Sequence, residues 1–268
     1  AGRPGADPRE KRARGHQGCA VIMDKYINLP HLPERKVGLA AAGGRYRSLL
    51  AAPLEKLGVA VIWLPDAPGA DPRLAGHADL SMVHLGGRKV ISSCGVQTEE
   101  KLAALGFAVT HVPGPGDKYP HDCALNACIV GGKLFHRLDV TEKALLSSFP
   151  DGELINISQG YAKCCICVVD AGSVITSDHG IARAAREHGL DVLEITPGWI
   201  ALDGFDYGFI GGASFKLSKY ELAFTGRLDG HPDYERILSF LRGKGIEAVF
   251  LTDKPAFDVG SILPLTER

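Results

Sequence analysis

The sequence predicts an α/β fold: a five-bladed α/β propeller of pseudo-five-fold ββαβ repeats, closed by pairing of the N- and C-terminal strands. Three observations predict it. Five segments, 46–64, 98–112, 141–157, 180–195 and 233–251, each read as an amphipathic helix, a glycine stop and a β-branched strand. Pairs of short strands lie between them, and their anchors Asp79, Asp122, Cys164, Gly211 and Asp258 are 43, 42, 47 and 47 residues apart. The last pair is half present. Residues 258–265 supply one strand at the end and 36–42 supply its partner near the start, so their pairing leaves no open edge.

In chain order, residues 1–34 form an expected N-terminal arm, partly disordered, with a basic cluster at Arg9, Lys11, Arg12 and Arg14. The five repeats fill 35–268 as one domain. Each helix–strand unit carries its own stop and strand, from G-V-A-V-I-W-L-P in the first to G-I-E-A-V-F-L-T in the fifth. Gly86-Gly87, Gly131-Gly132, Asp170-Ala171-Gly172 and Ser218-Lys219 read as the hairpin turns. Thr98, Thr141, Asp178 and Asp233 read as helix N-caps. The aromatic, glycine-rich loop 197–212 reads as a pocket wall. A doubly wound parallel sheet also alternates helix and strand, but it does not need a hairpin after every unit. No G-x-G-x-x-G and no G-x-x-x-x-G-K-[ST] loop is present.

Bulk properties narrow the function classes. Of 268 residues, 45% are hydrophobic and 23% charged, and the net charge is −1, which gives no global field toward nucleic acid or an anionic membrane. No apolar run reaches the roughly 18–20 residues of a membrane span. The first 18 residues lack the apolar stretch of a secretory signal. Seven cysteines, three of them at Cys164, Cys165 and Cys167, do not form the framework of a small secreted domain; free thiols in a reducing, cytoplasmic setting are expected. C-C-x-C has neither the ligand spacing nor the second pair of a zinc site, so no metal and no cofactor is expected.

Taken alone, the candidate residues have plain readings. Cys164 on an apolar strand reads as a small core residue. His77 reads as a loop histidine, and Asp79, Asp258, Asp122 and Asn126 as turn or hairpin residues that bond local backbone. Cys165 and Cys167 share one strand face by alternation and read as core.

Five such units in a ring resemble the pentein, or guanidino-group-modifying enzyme, superfamily, which includes arginine deiminases, amidinotransferases and dimethylarginine dimethylaminohydrolases. The sequence is also similar to an uncharacterised bacterial family of this fold. The motifs that carry the resemblance are His77-Ala78-Asp79, the segment 120–137, Gly160 to Cys164 and Phe257 to Ser261. They resemble, in turn, the family's H-x-D, its P-D-D-x-A-x-N…L-L-H-R repeat, its cysteine entry and its acidic-Gly-Gly-Asp motif, in rotated order. The resemblance implies that Cys164 is the nucleophile and His77 the acid/base, with Asp258 beside them. It implies that Asp79 grips the guanidinium, with Asp122, Asn126, Lys163 and Tyr161 as further substrate contacts. Ser261 departs from the pattern, because the family has a second acid there.

The reading is a cysteine-dependent hydrolase or amidinotransferase. Its partner is a guanidine- or amidine-bearing small molecule, held through a covalent thioether, with no nucleic acid and no membrane; a homodimer is allowed. The alternative is a non-catalytic, ribosome- or protein-associated binding protein of the same fold, motivated by Ser261.

Overall fold

Every sheet among the described residues mixes antiparallel pairing with a parallel helical crossover. The computed structural model describes residues 1–2, 24–150 and 152–268. The first sheet contains β1 (Lys25–Tyr26), β2 (Val37–Gly43) and β3 (Ala60–Leu64), with α1 (Arg47–Lys56) between the last two. The second holds β4 (Met82–His84), β5 (Lys89–Ser92), α2 (Val96–Ala104) and β6 (Ala108–His111). The third holds β7 (Cys128–Val130), β8 (Lys133–His136), α3 (Lys143–Ser147) and β9 (Glu153–Asn156). A one-turn helix, α4 (Ala162–Cys165), opens the fourth, which continues with β10 (Cys167–Asp170), β11 (Ser173–Thr176), α5 (His179–Glu187) and β12 (Asp191–Glu194). The fifth holds β13 (Ser214–Ser218), β14 (Glu221–Phe224), α6 (Tyr234–Gly243) and β15 (Glu247–Phe250). The chain ends with β16 (Leu263–Glu267).

In the second to fifth sheets the first two strands are antiparallel and the third is parallel to the second. A helix between parallel strands supplies the crossover that parallel pairing requires. The first sheet has the order β1-β16-β2-β3, so the C-terminal strand pairs antiparallel with β2, with Leu263 opposite Ala41. This is the terminal pairing expected from the two half-units. β16 also lies beside β4 and β13, and β13 beside β10.

Local signals place the turns. Gly131 and Gly132 both have positive φ, 58° and 77°, as a tight two-residue hairpin requires. Gly58, Gly106, Gly189 and Gly245 follow α1, α2, α5 and α6 with positive φ and stop them. Asp178 caps α5, its carboxylate accepting from the Ile181 amide at 2.8 Å. The other expected caps differ. α2 starts two residues before Thr98, after Gly95, and Glu142 rather than Thr141 caps α3. Asp233 stands at the start of α6, but its carboxylate accepts from the Thr196 amide instead.

The expected arm boundary at residue 34 also shifts. Lys25 and Tyr26 pair with Glu267 and Thr266, and Ile27 is fully buried, so the fold includes part of that segment. The basic cluster at residues 9–14 lies outside the described residues. Two further differences concern the site. Asp79 and Asp122 lie in 3₁₀ turns, Ala78–Leu80 and His121–Cys123, and Cys164 lies in α4, rather than at the first residues of strands. The strands start three to six residues later, so each of these three anchors sits inside a turn that leads into its sheet.

Candidate active site

These turns bring distant residues together. A cavity of about 140 Å³ is lined by Cys164, His77 and Asp258 together with Leu74, Tyr161, Leu202, Phe205, Tyr207 and Phe209. One donor atom each from His77, Cys164 and Asp258 lies within 4.8 Å of the other two, and all three residues are buried. Their atom types are also those of metal ligands, so this is where an ion could be held. Reading the C-C-x-C spacing alone missed that possibility, because the three residues are separated by more than 80 positions.

The Cys164 sulfur is positioned from two sides. It donates to Asp79 Oδ2 at 3.0 Å, and the Asn126 amide group donates to it at 3.4 Å. Asn126 Oδ1 also accepts from the Lys163 and Cys164 backbone amides, at 2.8 and 3.2 Å, satisfying the free N–H groups at the start of α4. Asn126 therefore holds the thiol from behind and is not part of the cavity wall. Burial raises the Cys164 pKa well above the usual thiol range, and the carboxylates of Asp79 and Asp258 add to this. Burial likewise lowers the His77 pKa, only partly offset by Asp79. At neutral pH the pair rests as thiol and imidazole.

Asp258 is pushed up to about 6 by burial, against the Gly260 and Phe209 amides that donate to its two oxygens at 2.8 and 2.9 Å. Its backbone is tied to the loop 197–212: Ala201 bridges Phe257, and the Asp258 amide donates to the Ala201 carbonyl. Gly260 is needed here. Its φ is 64°, and a Cβ would run into the His77 side chain. Two buried polar atoms of these residues have no partner among the described residues, His77 Nε2 and Asp79 Oδ1.

The remaining expected contacts divide. Tyr161 lines the cavity, and its hydroxyl donates to Asp122 Oδ2 at 2.6 Å, so Asp122 anchors that ring and is itself outside the lining. Lys163, expected as a substrate contact, is not in the lining either. Successive side chains on a helical turn diverge by about 100°, so Lys163 and Cys164 point to different places. The Lys163 ammonium donates to Ser261 Oγ at 3.1 Å and to the Gly211 carbonyl at 3.3 Å. Ser261 Oγ donates onward to Asp79 Oδ2 at 2.7 Å. Ser261 thus links a buried ammonium to the carboxylate under the thiol, a role invisible in the sequence. The aromatic wall from the loop 197–212 was legible as composition, whereas Leu74 carried no signal. Among the described residues six cysteines are free thiols, and no helix is long and apolar enough to cross a membrane.

Solved structures share this fold. An amidinotransferase of the saxitoxin biosynthetic pathway from Microseira wollei superposes with a TM-score of 0.53 at 11% identity, covering 87% of this chain and 96% of that one. An agmatine deiminase of C. jejuni with substrate bound gives 0.52 at 10% identity, with 91% and 98% coverage. The dimethylarginine dimethylaminohydrolase of Pseudomonas aeruginosa in complex with citrulline gives 0.50 at 11%, with 81% and 92% coverage. At these identities the likeness is one of fold alone, a mixed-sheet α/β architecture. No curated protein matches the sequence. A family model does, over residues 42–263, and the chain belongs to that family, DUF6873, a family of unknown function.

Proposed function

We propose that the protein is a cysteine-dependent enzyme of guanidine or amidine chemistry, a hydrolase or amidinotransferase, working at the centre of a five-bladed ring. The observation that carries this reading is the meeting of the Cys164 thiol, the His77 ring and the Asp258 carboxylate in one cavity. The structural neighbours support it, since they are named as an amidinotransferase, an agmatine deiminase and a dimethylarginine dimethylaminohydrolase.

The chemistry follows from the charges. A bound amidinium is a cation placed against Asp258, which lines the cavity and can accept its N–H groups, with the charge of Asp79, expected to grip the substrate but outside the lining, behind the thiol. The same positive charge opposes the two carboxylates that hold the thiol proton on, so binding favours the thiolate. The thiol proton passes to the His77 imidazole. Sulfur then attacks the central carbon, and the C–N bond breaks as the amine leaves with the proton from His77. An amidino-thioether on Cys164 remains. Water, giving a proton to His77, or an amine acceptor then adds to that carbon, and the C–S bond breaks to return the thiol. Asn126 and Ser261 hold the sulfur and the Asp79 carboxylate in register and act through those groups.

The test is intact mass after incubation with 2-chloroacetamidine, which alkylates a thiolate with loss of chloride. Wild type is expected to gain one amidine adduct and Cys164→Ala none. Equal labelling of the two would remove Cys164 from the mechanism.

A further inference from the structure

The surface of the cavity divides by chemistry. Cys164, His77 and Asp258 supply all of its reactive or ionisable edge apart from two phenols; the rest is Leu74, Leu202, Phe205, Phe209 and the rings of Tyr161 and Tyr207. Among the described residues no lysine or arginine lines it. Arg73 comes near through its contact with Phe205, its guanidinium 4.2 Å from the ring centre, but it is already engaged by Asp71 and by the Gly204 carbonyl. The Tyr161 hydroxyl is committed to Asp122, so it cannot donate to an incoming anion. The buried cation Lys163 faces Ser261 and Gly211 instead.

We propose, on the basis of the reading above, that the substrate is an amidine or guanidine cation bearing a small apolar substituent, aryl or short alkyl, and no carboxylate. A carboxylate brought between these walls would lose its water without gaining a cation, and it would face the Asp258 charge. A flat or aliphatic group gains burial there, and the aromatic faces favour the positive head. Size agrees. About 140 Å³ is a few times the roughly 30 Å³ share of one water molecule, and smaller than the roughly 300–1,000 Å³ of a drug-sized pocket.

The experiment measures protection of wild-type Cys164 against 2-chloroacetamidine by benzamidine, propylguanidine and L-arginine. Benzamidine and propylguanidine are expected to protect at about ten-fold lower concentration than arginine, or better. Equal or better protection by arginine overturns the inference. If 2-chloroacetamidine does not label Cys164 at all, the nucleophile assignment falls. The inference then stands or falls on calorimetry with the same three compounds, benzamidine tighter than arginine supporting it and the reverse overturning it. Leu202→Arg, a change on a partly exposed loop, is expected to narrow the gap at least about three-fold by offering the carboxylate a partner. An unchanged gap overturns the apolar wall as its cause.

Discussion

Between the fourth and fifth sheets, Val169, Ile175, Phe224, Ile237 and Leu241 form a cluster that is almost free of solvent and has no polar side-chain atoms to satisfy. In the turns that lead into the sheets, equally buried positions hold Asp79, Asp122, Lys163, Asp258 and His77. Three of these five retain a side-chain atom with no partner among the described residues. The first region gains stability from nearly every buried atom. The second loses it, because charge and unpaired polar atoms are held away from water. The difference teaches where to look for chemistry in a repeat fold. The repeated part carries the packing, and the turns, where the repeats diverge, carry groups that folding alone would not select.

Substitutions in the two regions should therefore separate stability from reactivity. Phe224→Ala, in the apolar cluster, is expected to cost about 3–5 kcal/mol in denaturant unfolding while leaving amidine labelling of the folded fraction intact. Ser261→Ala removes the hydroxyl between the Lys163 ammonium and the Asp79 carboxylate, and is expected to cost about 2 kcal/mol in the same measurement. An effect near zero would mean that the buried link is not made in solution.

The third prediction concerns pH. The Asp258 pKa is raised, so this carboxyl takes up its proton as pH falls through about 6. The rate of labelling by cationic 2-chloroacetamidine, divided by that by neutral 2-chloroacetamide, cancels the thiolate fraction. That ratio is expected to fall by up to about ten-fold per unit below pH 6 and to be flat above it. The limb should vanish in Asp258→Asn. The smallest effect belongs to a surface feature outside both regions: Asp178→Ala, which removes the cap of α5, is expected to cost about 1 kcal/mol and to leave labelling unchanged.

The two regions also differ in how far the sequence reveals them. Helix stops at Gly58, Gly106, Gly189 and Gly245 and the Gly131-Gly132 hairpin are local devices, so the repeat and the pairing of its ends could be read residue by residue. The positions of Cys164, His77 and Asp258 could be read only as motifs at comparable points of their repeats. Their convergence depends on how the sheets pack. The helical turn under Cys164 was hidden because C-C-I-C-V-V has the composition of a strand; Asn126, far away in sequence, accepts the amides that open that turn. The direction of Lys163 and the bridging hydroxyl of Ser261 follow from that turn and were hidden with it. The pairing of Lys25 and Tyr26 with β16 was missed because two residues show no periodicity.

Cys164 and Cys123 give the most direct test of the central claim, since both are buried thiols in turns ahead of a sheet. Cys123 donates to the Pro120 carbonyl at 2.9 Å, its pKa is pushed up to about 12 by burial and by the Asp122 carboxylate, and it does not line the cavity that holds Cys164 and His77. Peptide mapping of the wild-type protein after limited labelling with 2-chloroacetamidine would compare the two within one molecule. The account predicts adduct on Cys164, suppressed by added guanidinium, and essentially none on Cys123. Equal modification of the two thiols, or labelling of Cys164 that guanidinium does not suppress, would contradict it.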